Sequence, residues 1–129
     1  MKFKFKSEST LRRKILAVLR KDGFAVWPME NTVAVGMPDI YGVTPQGDCF
    51  WIEIKVGKNI YANDGSAKRQ RIWHSAYLAN GGKNLFRLHF MSPITGLWRL
   101  TTIVDGGQFD DSVKSRCKHT LTRSLAWRI

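Results

Sequence analysis

Apolar residues first recur at helical spacing. Leu11, Ile15, Val18 and Leu19 fall on one face, so an amphipathic helix is predicted from about Glu8 to Lys21. Ser7 or Ser9 is placed to cap its start and Gly23 to end it. Arg12, Arg13, Lys14, Arg20 and Lys21 cover the rest of the circumference, either as a solvated face or as a contact surface for an anionic partner.

The pattern then shortens to the period of strands. Phe24-Ala25-Val26-Trp27 reads as a short strand that Pro28 stops or places at a sheet edge, since proline has no N–H to donate. Thr32 to Val35 is apolar but short and ends at Gly36. Asp39 to Val43, the turn Thr44 to Asp48 and the strand Cys49 to Val56 form a predicted hairpin. After a polar loop from Lys58 to Gly65, Ser66 is placed to cap a second helix reaching about Asn80. Its buried side is predicted to hold Ile72, Trp73, Ala76 and Tyr77, and Gly81-Gly82 ends it. Asn84 to Met91 and Leu97 to Val104 supply two more strands around a Pro93 to Gly96 turn, followed by a basic tail. No internal repeat or low-complexity tract interrupts this order, which predicts an α/β layer structure with helices on the faces of a mixed sheet.

Composition narrows the class. At 129 residues and 43% hydrophobic content the chain has the length and apolar share of one domain. Its 21 Lys and Arg against 10 Asp and Glu leave a net charge of +11, which makes a polyanion, nucleic acid above all, the expected partner. Cys49 and Cys117 are too few for a disulfide framework and are read as reduced thiols. The basic start, Met1 to Lys6, is followed by polar Ser7 to Thr10 rather than by the apolar stretch of a signal peptide. Apolar runs elsewhere fall short of the roughly 18 residues that span a bilayer. A soluble cytoplasmic protein without a membrane partner is expected. His74, His89 and His119 share no metal-ligand spacing with each other or with the cysteines, so each is read as structural and no zinc site is expected. Trp51, Trp73, Trp98 and Trp127 are expected in the core or at an oligomer interface, with base stacking the alternative.

The strand from Cys49 to Val56 holds the chemistry. Its two-residue period puts Phe50, Ile52, Ile54 and Val56 on one side and Trp51, Glu53 and Lys55 on the other. Asp39, at the start of the preceding hairpin strand, comes near Glu53 by cross-strand pairing. Two carboxylates and a lysine then share one site, a set suited to Mg²⁺, which takes oxygen ligands and keeps positions for water and phosphate.

Pro38-Asp39 followed by Glu53-Ile54-Lys55 resembles the PD-(D/E)xK nuclease motif, and a chance match of that kind is expected in only a few per cent of chains this long. The resemblance covers about Glu8 to Phe90. It implies a restriction-endonuclease-like core in α-β-β-β-α-β order over about residues 8–104, with residues 105–129 as a basic extension of a single nuclease domain. Glu8 resembles the acidic residue that many members, including archaeal-type Holliday-junction resolvases, bring from the first helix. Gln70 resembles the glutamine that follows the E-x-K strand. With Gly81-Gly82, Gln70-Arg71-Ile72-Trp73 looks most like the VRR-Nuc group, whose small stand-alone members occur in phages and bacteria.

By resemblance, Asp39, Glu53, the Ile54 carbonyl and Glu8 hold Mg²⁺ or Mn²⁺, Lys55 is catalytic, and Gln70 and Glu8 complete the site. Glu8 is equally a helix-dipole partner, and Gln70 equally a solvated residue. Lys58, Lys68, Arg69 and Arg71 are candidate phosphate contacts, with a solvated face as the alternative. The tail cations Lys114, Arg116, Lys118, Arg123 and Arg128 are read as a DNA-binding extension or part of a dimer interface.

The expected activity is metal-dependent endonucleolytic hydrolysis of DNA, structure-selective on branched DNA such as Holliday junctions, by a homodimer in the cytoplasm of a bacterium or of a phage host. The alternative is a noncatalytic basic DNA-binding protein on a nuclease-like scaffold.

Overall fold

The first helical period folds as α1 (Glu8–Lys21) in a computed structural model that describes residues 7–29, 36–57, 65–92, 94–104 and 108–128, without the side chains of 65–67, 127 and 128. Ser7 is extended and its side chain accepts the Thr10 N–H at 3.2 Å, which fixes the start of the helix. At the other end Gly23 N–H donates to the Arg20 carbonyl and Phe24 N–H to that of Leu19, the paired closure that stops a helix at glycine. Leu11, Ile15 and Leu19 are fully buried and Val18 partly so. Leu16, outside the predicted stripe, is buried as well, because α1 packs against both the sheet and a third helix and needs a wider apolar arc.

The strands are β1 (Ala25–Pro28), β2 (Ile40–Val43), β3 (Cys49–Val56), β4 (Leu85–Phe90), β5 (Trp98–Val104) and β6 (Gln108–Asp110), arranged in that order in one sheet. Every neighbouring pair is antiparallel except β3 and β4, which are parallel. A parallel pair needs a crossover, and α2 (Gly65–Ala79) supplies it. The fold is therefore α/β, a mixed sheet flanked by helices in the expected α-β-β-β-α-β order. Pro28 is tolerated because β1 is an edge strand.

The faces of β3 divide as the two-residue period requires. Phe50 and Ile52 join Val26, Ile40, Phe86, Leu88 and Phe90 in the core beneath α1 and α3 (Arg116–Arg128). Trp51, Glu53 and Lys55 face the other way, toward α2.

Three expectations are corrected. α2 begins at Gly65, so Ser66 lies inside the helix rather than capping it. Ile72 is 61% exposed and Ala76 is exposed too, whereas the inward line is Gln70, Trp73, His74, Tyr77 and Leu78. α2 lies over the polar face of β3, so its inward residues match carboxylate, ammonium and indole rather than hydrocarbon. The chain after Val104, read as a basic extension, adds β6 to the sheet and α3 to the core through Cys117, Leu121 and Leu125. Burial pushes the Cys117 thiol up to about 12 and keeps it neutral. Arg116 is spent on a two-pronged contact with Asp48 at 2.7 and 2.8 Å, and Lys118 donates to the Asp111 and Val113 carbonyls.

Of the predicted aromatic core residues, Trp98 packs partly buried against the core, but Trp51 and Trp73 lie outside it. The apolar stretch Thr32 to Val35, the loop Lys58 to Asp64 and the Trp127 side chain lie outside the described residues. Among the described residues no helix is long and apolar enough to cross a membrane.

Candidate active site

β2 pairs with β3 as far as Ile40 opposite Ile52, and β3 then continues through Glu53 to Val56 without a partner from β2. A strand residue sends its N–H and C=O to the same edge, so both polar groups of Ile54 face the side that β2 has vacated. The Ile54 N–H donates to Asp39 Oδ2 at 2.7 Å, so the carboxylate stands in for the missing strand. Asp39 is pinned from behind as well, since its carbonyl accepts the Met29 N–H at 2.9 Å.

Glu53 is almost fully buried on the α2 side of β3. Its Oε2 lies 3.2 Å from Nε2 of His74, itself buried. The ring is close enough for an ion pair but is not aligned for a hydrogen bond. Glu53 Oε1 and both His74 nitrogens therefore have no hydrogen-bond partner among the described residues. An unsatisfied buried carboxylate oxygen is costly, and such groups in native proteins mark ligand or catalytic positions. Burial raises the Asp39 carboxyl above the usual carboxylate range and the charge of Glu53 adds to the rise, while the Ile54 N–H, Arg12 and Lys55 pull it back.

Lys55 lies two residues beyond Glu53 on the same face, and its Nζ donates to Gln70 Oε1 at 2.8 Å. Gln70 reaches it because α2 comes very close to the chain before the Pro38-Asp39 pair. A Cβ on Gly36 would stand 2.4 Å from the Arg69 carbonyl oxygen, and Gly36 has a φ of +95° that L side chains rarely adopt.

Glu8, Ser9, Arg12, Asp39 and Ile54 line a cavity of about 220 Å³. Glu8 is thus brought to the same cleft as Asp39, one helical turn ahead of Arg12. Lys68, Arg69 and Arg71 are exposed on α2 on either side of Gln70, and Lys58 lies outside the described residues.

Sequence reasoning missed two members of the site. His74, discounted for lack of metal-ligand spacing, is four residues after Gln70 on the same helical face, and that spacing was the available signal. Arg12, grouped with the other cations of α1, is likewise four residues after Glu8. His89, beside Lys55 in the sheet, makes a 2.7 Å contact with the Gly57 carbonyl, and His119 is exposed on α3.

Among the described residues no group of three or more His, Cys, Asp and Glu side chains is gathered to hold a metal ion by itself. The donors present still fit a hard divalent cation that needs few protein ligands. They comprise one buried carboxylate with an oxygen to spare, a second held at the adjacent strand edge, and the Ile54 carbonyl on that same edge.

A mixed α/β sheet with two carboxylates and a lysine at the divergence of β2 and β3 is the class that fold and site define. Among solved structures the chain is similar to a Holliday junction resolvase from the archaeal hyperthermophile Archaeoglobus fulgidus, with 18% identity over 72% of this chain and 73% of that one and a TM-score of 0.49. It is also similar to a VRR_NUC domain, with 18% identity over 67% of this chain and 86% of that one and a TM-score of 0.47. No protein-family model and no curated protein matches the chain.

Proposed function

We propose that this chain is a divalent-metal-dependent endonuclease that hydrolyses DNA phosphodiester bonds, selective for branched DNA such as Holliday junctions. The observation that carries the reading is that Asp39, held at the edge of β3, stands within electrostatic reach of the unsatisfied Glu53 carboxylate and of Lys55, which donates to Gln70.

Asp39, Glu53, the Ile54 carbonyl and Glu8 would hold Mg²⁺ or Mn²⁺, which when bound would neutralise phosphate charge and acidify water. The protein contributes position and charge. The Ile54 N–H keeps Asp39 from rotating out of the cleft, and burial fixes Glu53. Lys55, its ammonium steadied by Gln70, is placed to orient the attacking water or to stabilise the negative charge that develops on the phosphate. Arg12 at the cleft and Lys68, Arg69 and Arg71 on α2 take neighbouring phosphates, contacts that position DNA without reading its sequence. Recognition then falls to DNA shape. Two symmetric nicks in a junction call for two copies of the site, hence a homodimer, acting in the cytoplasm where its substrate is found.

The test is cleavage of a labelled four-way junction and its linear duplex control in Mg²⁺, Mn²⁺ or EDTA, beside Glu53→Ala. Paired cuts in the junction alone, lost in EDTA and in the variant, are expected. DNA binding without any metal-dependent product would leave a noncatalytic DNA-binding protein on this scaffold.

A further inference from the structure

Five aromatic side chains form an unbroken row across the α2 side of the sheet. Trp27 on β1 stacks on Tyr41 of β2 at 5.9 Å and 18° between planes, and Tyr41 meets Trp51 of β3 at 4.8 Å. Trp51 contacts Trp73 of α2 edge-on at 5.1 Å, and Trp73 stacks on Tyr77 at 5.1 Å and 13°. None of the five belongs to the hydrophobic core, which lies on the opposite face. Trp27 is 48% exposed at the edge strand, and at the other end Trp73 and Tyr77 border an open depression of about 370 Å³.

The row is built to be rigid. The Tyr77 hydroxyl donates to the Lys83 carbonyl at 2.6 Å and accepts the Lys83 N–H at 3.2 Å. A Cβ on Gly82 would fall 2.4 Å from the Tyr77 ring, so the glycine makes the space the ring occupies. The Trp51–Trp73 contact helps seat α2, but the hydrophobic core does not reach the row, and contiguous aromatic surface outside a core marks an interaction site.

Its charge setting selects the partner. β1, β2, β3 and α2 contain no acidic residue but Glu53, and Asp39 just before β2 is the other site carboxylate. Lys55 lies four residues beyond Trp51 on the same face of β3, Lys83 stands at the Tyr77 end of the row, and Lys68, Arg69 and Arg71 are exposed on α2. Flat apolar rings bordered by cations fit unpaired nucleobases and their phosphates, since every base has a face to stack while its backbone seeks positive charge. Duplex DNA keeps those faces occupied.

We propose that the row Trp27, Tyr41, Trp51, Trp73 and Tyr77 is a stacking platform for a single DNA strand, so that among branched substrates it favours those with an unpaired strand, such as a flap, over the fully paired junction. This deepens the nuclease reading and rests on DNA being the partner of that cleft, but not on turnover.

The test is binding in EDTA, by anisotropy, of a labelled oligothymidylate and of a blunt duplex to the wild-type chain, Trp27→Ala and Trp27→Phe, with tryptophan fluorescence recorded for each. The wild type is expected to bind the single strand with quenching of its tryptophan emission. Trp27→Ala is expected to lower the single-strand affinity about tenfold relative to the duplex, and Trp27→Phe to recover most of that loss. Absence of quenching, or equal losses on both DNAs, overturns the platform. So does a Trp27→Ala protein that changes from dimer to monomer by light scattering with the affinity ratio intact, since the row would then be an interface between two copies. A chain that never cleaves yet shows the selective loss keeps the platform and sinks the nuclease. Junction cleavage with an unchanged ratio does the reverse.

Discussion

Asp39 stands where its surroundings oppose a carboxylate charge. Burial and the neighbouring Glu53 raise its carboxyl above the ordinary range. A carboxyl raised on folding makes the folded state favour the proton, so its stability contribution is present at low pH and is lost as pH rises through the raised value. At neutral pH the metal-free protein therefore bears a strain that a neutral isostere removes. We expect Asp39→Asn, whose amide oxygen still accepts the Ile54 N–H, to melt at a higher temperature than wild type in EDTA at pH 7. The advantage should shrink as pH falls through the carboxylate range, and added Mg²⁺ should stabilise the wild type and not the variant. An unchanged or lower melting temperature for the variant in EDTA would show that burial of this charge is not the dominant cost.

Among the elements, α2 and α3 decide whether the site is assembled. α2 is seated through backbone, at the close approach of Gly36 to Arg69, and through side chains, with Lys55 donating to Gln70, Trp73 against Trp51 and His74 beside Glu53. Gly36→Ala introduces both a left-handed strain of about 1–2 kcal/mol and a clash with helix backbone. Gly47, with a φ of +93° and nothing within 4 Å of an added Cβ, isolates the strain alone. Gly36→Ala should lower the melting temperature more than Gly47→Ala and reduce cleavage at least about tenfold, the scale of effect seen when a supporting contact is lost. Equal shifts with intact cleavage would mean that α2 is held elsewhere. α3 contributes through hydrophobic packing. Leu121 is fully buried against the common core, and Leu121→Ala should destabilise by about 2–5 kcal/mol in denaturant unfolding. A cost below about 1 kcal/mol would return α3 to the status of an appended tail.

For the whole molecule the governing quantity is the net charge of +11. Affinity drawn from phosphate contacts falls steeply with salt, because each contact releases a condensed counterion. If six or more phosphates are engaged, DNA affinity should drop by about three orders of magnitude between 50 and 200 mM salt. Arg12→Ala should flatten the log–log slope by about one contact in fluorescence titrations. Salt-insensitive binding would mean that the basic surface serves another partner. Arg116 is not free for such contacts, since Asp48 already engages it.

The chain by itself determined α1 to the residue, β3 and the hairpin before it, the division of β3 into an apolar and a chemical face, and the nearness of Asp39 to Glu53. These are local properties, set by side-chain period, turn residues and pairing register, and they survive without knowledge of distant contacts. Only the tertiary structure decided which side of α2 faces inward, because that side answers to Glu53, Lys55 and Trp51 rather than to hydrocarbon, and a hydrophobic period cannot register a polar target. It also decided that residues after Val104 complete the core, since the apolar Cys117, Leu121 and Leu125 are diluted among the cations that the sequence shows first. His74 belongs with them. Its four-residue spacing from Gln70 puts it on the face of α2 that carries the glutamine, but only the crossover between two parallel strands brings that face against Glu53.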